Sequence, residues 1–273
     1  MESRLVSVGY PLDSNLISDS FLLLFKISDS YLHGVNGMPT IAFVSPKGGV
    51  GKTTSAFMFS TALAGLYDVT IIDADPNHPI QTWARGGNTP PRLTVVSDVD
   101  EETIIESIED AASKTTFVIV DLEGTASKTV IYAISQADFV IIPTQGSQLD
   151  ANEASRAIRV VIQSEKMTGK KKPYAVLLTR TNSSIRTRGL AHIQNGLVGA
   201  GIPVLETELN ERDAFKAVFS FQQTLEGLNA ADVPNLDKAK LNVWEFVHEV
   251  LERLLKGEGG GEKENASDVA GAA

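Results

Sequence analysis

Two lysines five residues apart, three glycines and two threonines fall together in Lys47-Gly48-Gly49-Val50-Gly51-Lys52-Thr53-Thr54. Side chains of these types at this spacing are suited to holding phosphate. Gly48, Gly49 and Gly51 have no Cβ, so successive backbone N–H groups turn inward around an anion. A helix beginning at the end of the loop adds its unpaired N–H groups and the positive end of its dipole. Lys52 would reach the β- and γ-phosphates of a nucleotide and the Thr53 hydroxyl would ligate Mg²⁺, with Gly48 to Thr54, including Val50, forming the binding run.

A phosphate cradle needs carboxylates opposite it, and two apolar segments end in them. Asp68-Val69-Thr70-Ile71-Ile72 runs into Asp73-Ala74-Asp75-Pro76-Asn77, and Phe117-Val118-Ile119-Val120 runs into Asp121-Leu122-Glu123-Gly124. Strands that end in acids place them at the carboxyl edge of a sheet, where open α/β folds bind ligands. Asp121 then holds a metal-bound water, in the manner of a Walker B aspartate. Gly124, three residues on, offers its N–H to a γ-phosphate and so distinguishes triphosphate from diphosphate.

These groups must be positioned by regular elements. The apolar run Ile41-Ala42-Phe43-Val44 before the loop reads as a buried strand, and Ser55 to Ala64 after it as a helix. Further strands are expected at 68–72, 93–96, 117–120, 138–143, 174–178 and, briefly, 203–205. Ile104, Ile105 and Ile108 set a helix within the acidic stretch, another helix spans about 151–163, and 241–255 forms a terminal one. Strands alternating with helices give an α/β fold with a single doubly wound, mostly parallel sheet flanked by helices.

The loop departs from the general phosphate-loop pattern at its first glycine, which is Pro46, and adds Lys47. In that form, K-G-G-x-G-K-[ST], it resembles the ParA/MinD family of deviant Walker A ATPases, P-loop NTPases of the SIMIBI type. The resemblance covers about residues 38–256. The stretches from Asp73 to Trp83 and from Glu211 to Phe215 are closer to plasmid-borne and VirC-type ParA-like proteins than to MinD. It implies ATP and Mg²⁺ as ligands, slow hydrolysis that a partner accelerates, and a nucleotide-sandwich homodimer in which Lys47 touches the partner's phosphates. Lys47, Lys52 and Asp75 would be catalytic. Asp75 would position the attacking water and an Mg²⁺-bound water beside Thr53 and Asp121, and Asp73 would support the loop. By the same resemblance Thr179-Arg180-Thr181-Asn182 lies beside adenine, which names Arg180 and Asn182. The family's proline pair after the Walker B aspartate is absent here.

Composition narrows the field. The chain has 273 residues, 42% of them hydrophobic, and no cysteine, which excludes disulfides, thiolate zinc sites and the cysteine-held cluster of the nitrogenase iron protein. No apolar run reaches the length of a membrane span. Net charge is −10, but it is segregated: Asp98 to Asp110 holds seven acids and no base, and Lys166 to Arg188 seven bases and no acid. One face of an acidic protein is therefore expected to be positive. Arg186, Arg188, Arg212 and Lys216, with Lys170, Lys171 and Lys172 as further candidates, would meet DNA phosphates without reading bases. The resemblance further implies a cytoplasmic, nucleoid-associated protein with a ParB-like or transfer-machinery partner. A MinD-like membrane-associated ATPase, or a DNA-binding adaptor with little hydrolysis, is the alternative. Against the membrane, the polar side of the terminal helix carries Glu245, Glu249 and Glu252. Residues 1–37 read as a poorly ordered extension or start-site artefact before Met38, 38–256 as the ATPase domain, and 257–273 as a disordered acidic, glycine-rich tail.

Overall fold

Along β1 (Thr40–Phe43) every residue is buried, with Ile41 and Phe43 packing on one side of the sheet and Ala42 on the other. A strand apolar on both faces needs a layer on each, and the computed structural model supplies both. It describes residues 38–124, 127–185 and 187–256. The expectations for 1–37 and 257–273 lie outside the described residues.

Seven strands form one sheet: β1, β2 (Val69–Ala74), β3 (Leu93–Val96), β4 (Phe117–Leu122), β5 (Phe139–Thr144), β6 (Tyr174–Thr181) and β7 (Leu209–Asn210). Their spatial order is β3-β2-β4-β1-β5-β6-β7, and every pairing is parallel. The chain winds outward from β1 to β3, returns through β4, and continues past β1 to β7. Such a reversal opens a crevice beyond the carboxyl ends of the central strands. Register puts Phe43, the last residue of β1, opposite Asp121 of β4, and Asp121 opposite Asp73 of β2.

One helical layer comprises α1 (Lys52–Ala64), α2 (Pro79–Ala84), α7 (Asp213–Ser220) and α8 (Leu236–Lys256). The other comprises α3 (Ile104–Lys114), α4 (Lys128–Gln136), α5 (Gln148–Thr168) and α6 (Arg188–Gly199). Phe246 of α8 packs on Phe43 and Phe59 with ring centroids 6.4 and 5.3 Å apart. The apolar stripe of the terminal helix is thus committed to the core. No helix among the described residues is long and apolar enough to cross a membrane.

Several elements differ from the sequence reading. The segment 203–205 makes only an isolated parallel bridge, Val204 to Val176, and the last strand is Leu209–Asn210. Helices α4 and α6 were not anticipated, although Ser127 and Thr187 cap them by accepting from Val130 N and Leu190 N. Helix α5 runs from Gln148 to Thr168, longer at both ends than its central apolar spacing indicates.

Candidate functional site

The phosphate loop connects β1 to α1. Gly51, the residue before α1, has φ +92°, a left-handed backbone that side-chain-bearing residues rarely adopt. The loop is anchored from beneath: Val50 is 2% exposed, and its carbonyl accepts from the Thr179 hydroxyl at 2.6 Å. Lys47, Gly48, Gly49, Gly51, Lys52, Thr53 and Thr54 line a cleft together with Asp75, Gly124 and Arg180. Residues from the ends of β1, β2, β4 and β6 therefore meet at one place. Gly124 pairs with Ser45 in an isolated bridge and has φ +66°. Thr125 and Ala126 lie outside the described residues.

Lys52 is 8% exposed, and a buried ammonium needs an anion. Its Nζ lies 3.1 Å from Asp121 Oδ1 and 3.9 Å from Asp75 Oδ2. Burial pushes the Asp121 carboxyl up to about 6, against the opposing pull of Lys52 and a hydrogen bond from Thr53. Asp121 Oδ2 has no hydrogen-bond partner. A buried carboxylate oxygen left over beside a threonine hydroxyl suits a hard cation such as Mg²⁺, which takes one or two carboxylates and completes its sphere with water and phosphate.

Asp73 is fully buried and accepts through Oδ2 from Ile80 N and Gln81 N, both at 2.9 Å. It therefore fixes the start of α2, the helix that follows Asp75. Burial raises its pKa despite those donors. Asp75 keeps 14% of its side chain exposed and accepts from Asn77 N and Nδ2 at 2.9 and 3.0 Å.

Lys47 is turned away from Lys52. Its Nζ donates to Asp150 Oδ1 at 2.5 Å, near the start of α5. The hydroxyl of Ser147, the residue before α5, donates to the other Asp150 oxygen. Burial pushes the Asp150 carboxyl up, but the donors Lys47 and Ser147 outweigh it and hold the group below its ordinary range.

A second hollow adjoins the cleft, lined by Thr179, Arg180, Leu209, Asn210, Arg212 and Phe215. Arg180 faces both, at φ +53°. Asn182 does not share either: its Oδ1 accepts from Ser184 N and Ile185 N, closing a local turn at a separate groove. Asn210 lies in the stretch Leu209 to Phe215, which by the family resemblance is a second nucleotide-side loop; its Nδ2 donates to Thr181 Oγ1 at 2.9 Å and its Oδ1 accepts from Arg212 at 3.1 Å.

The candidate DNA-contacting residues are dispersed. Arg188 is exposed at the first position of α6, and Arg186 lies outside the described residues. Lys216 is exposed and paired with Glu211 at 3.1 Å and Asp213 at 3.8 Å. Arg212 turns into the hollow beside the cleft, and burial lowers its pKa. The basic stretch is divided along the length of β6. Lys166, Lys170 and Lys171 precede β6, Arg180 is its seventh residue and Arg188 follows it, so about 20 Å of strand separates the groups. Lys172 is 6% exposed, donating to the carbonyls of Ser135 and Ala137 at 2.5 and 3.0 Å, which removes it from the set.

Comparison with known proteins places this geometry. The family model described as VirC1 protein matches residues 38–244. A ParA protein of Rhizobium radiobacter is 35% identical over 220 residues, covering 80% of this chain and 99% of that one. The virC1 protein of Rhizobium rhizogenes is 31% identical over 187 residues, covering 66% of this chain and 80% of its own length. Among solved structures, an ATP complex of McdA from Cyanothece superposes with a TM-score of 0.60 at 17% identity, over 83% of this chain and 99% of that one. A phosphate loop carrying a second lysine, aspartates at the ends of β2 and β4, and these relatives together make the chain a member of the VirC1 family, among the ParA/MinD-type P-loop ATPases.

Proposed function

We propose that this protein binds ATP with Mg²⁺, dimerises through the bound nucleotide, hydrolyses it slowly, and in its dimeric form binds DNA without reading sequence. The observation that carries the reading is the pairing of two differently placed lysines on one loop. Lys52 is buried among the strand-end carboxylates Asp121 and Asp75, where phosphate oxygens would compete for its charge. Lys47 points out of the same loop with 42% of its side chain exposed. One lysine suits the chain's own nucleotide, and the other suits a second copy's.

In this reading the loop N–H groups from Gly48 to Thr54 and Lys52 stabilise charge on the phosphates, and Asp75 orients the attacking water. Little general-base strength is needed, since phosphoryl transfer rests mostly on positioning and electrostatics. Mg²⁺, held by Thr53 and through water by Asp121, would neutralise charge between the outer phosphates. Gly124 reads the γ-phosphate, and the hollow lined by Arg180 and Asn210 receives the base. Residues 38–256 act as the ATPase unit. On DNA the exposed Arg188 and Lys216, with Arg186, supply phosphate contacts in the cytoplasm at the nucleoid. A ParB-like or transfer-machinery protein is the expected stimulating partner, as relatives named ParA and virC1 suggest.

The two lysines are separable by experiment. Lys52→Ala should weaken nucleotide binding at least a hundredfold in a fluorescent-nucleotide titration. Lys47→Ala should bind nucleotide as the wild type does but fail to dimerise or hydrolyse. Equal behaviour of the two variants would contradict the assignment.

A further inference from the structure

The sheet ends at β7, which is two residues long and pairs with β6 across a shift of register between Thr179 and Thr181. An edge strand leaves one row of backbone N–H and C=O groups without a strand to bond. Here α8 takes that row. Asn242, 6% exposed, donates through Nδ2 to the Glu208 carbonyl at 2.8 Å and accepts through Oδ1 from Asn210 N at 3.0 Å. Those are the two groups an eighth strand would use, since Glu211 N, one residue on, turns the other way to Thr181 O at 2.8 Å. Two helical turns further, Glu249 accepts from Glu206 N and Thr207 N, each at 2.8 Å, and is held by Arg253 at 2.8 Å. The opposite side of this short strand faces the nucleotide cleft: Leu209 and Asn210 line the hollow beside it.

We propose that Asn242 is a positioning residue for the nucleotide base: by standing in for a strand at the outer edge of β7, it fixes the register of the wall against which the base lies. The proposal rests on the reading that the hollow lined by Arg180 and Asn210 receives the base. Two residues of pairing with a shifted register specify that register weakly, and a slip by one would turn the Asn210 side chain to the other face of the sheet. Its bonds to Thr181 Oγ1 and Arg212 would then be lost. The Asn242 amide spans Leu209, so its two bonds form together only when β7 sits in the observed register. Asn242 itself opens on the separate groove shared with Asn182, and its effect on a nucleotide therefore runs through β7. The phosphate loop is held by other means, the Thr179 hydroxyl beneath Val50 and the carboxylates around Lys52. Asn242 thus acts on the base and not on the phosphates. By reciprocity, a wall that binds the base better when held must be held more firmly when the base is bound.

The test compares ADP with pyrophosphate, which presents two linked phosphates without the nucleoside, by calorimetric titration of the full chain with Mg²⁺. Wild type should bind ADP more tightly than pyrophosphate. Asn242→Leu strands Glu208 O and Asn210 N, and should weaken ADP about tenfold while leaving pyrophosphate within twofold. Equal losses for both ligands would make Asn242 a structural residue only and overturn the proposal, as would an undiminished affinity for ADP. The underlying reading is judged on wild type alone. If wild type binds ADP no better than pyrophosphate, the base reading fails and the proposal with it; if wild type prefers ADP and Asn242→Leu keeps that preference, the positioning role alone fails. Should Asn242→Leu not fold, hydrogen exchange on wild type decides. ADP should slow exchange of the Asn210 amide several-fold beyond pyrophosphate, and equal exchange with the two ligands would overturn the proposal.

Discussion

Burial and a neighbouring ammonium pull the Asp121 carboxyl in opposite directions. Desolvation wins and pushes it up to about 6 from an ordinary 3.8, although Lys52 lies 3.1 Å away. A carboxyl whose folded value is raised holds a proton that the unfolded chain has already lost. Its stabilising contribution is therefore fully present below the unfolded value and is lost as pH rises through the folded one. In buffer without Mg²⁺, wild-type protein should lose thermal stability relative to Asp121→Asn as pH rises from about 4 to about 6, and the difference should then level off. Melting curves of both proteins across this window check it, and a constant difference would count against the raised carboxyl. The lysines show why residue type alone does not reveal role. Lys47 and Lys52 are five positions apart in one loop, yet one meets carboxylates inside the cleft and the other an aspartate outside it.

At the level of elements, the acids are placed by strand ends and the cations by helix ends. Lys172 shows how the second arrangement works, because its ammonium satisfies the carbonyls of Ser135 and Ala137 where α4 stops. Burial lowers its pKa, as for a structural cation rather than one presented to solvent. Lys172→Ala should cost about 1–3 kcal/mol in denaturant unfolding by stranding those carbonyls, and should leave nucleotide binding intact. Strands were the legible elements: runs such as Phe117-Val118-Ile119-Val120 are apolar on both faces, because helices cover both sides of the sheet. Their terminal aspartates were legible for the same reason, since polarity begins where cover ends. Helices α4 and α6 were hidden because their buried positions are few, three each, among apolar residues that do not form one stripe, and their caps resemble ordinary loop serines and threonines. Asp150 was hidden more deeply. Nothing near it in the chain signals that a lysine 103 residues earlier will reach it.

At the level of the whole molecule, sheet order decides which charges can act together. Reversal of winding at β1 gathers the phosphate loop, Asp75 and Asp121 in one crevice, whereas β6 divides the basic stretch between opposite edges. DNA binding should therefore depend on few phosphate contacts. The slope of log affinity against log salt should be about −0.9 for each phosphate neutralised, and Arg188→Ala should reduce its steepness by about one. An unchanged slope in that variant would remove Arg188 from the interface. The apolar stripe of α8 is buried in the core and so is not offered to a partner copy, whereas Lys47, with 42% of its side chain exposed, stands on the side of the phosphate loop that the proposed dimer would close. The most direct test of the account is the solution mass of the wild-type chain by light scattering, first with ADP and Mg²⁺ and then with ATP and Mg²⁺. The account predicts 29.3 kDa with ADP and twice that with ATP. The same mass with both nucleotides, whether monomer or dimer, would contradict it.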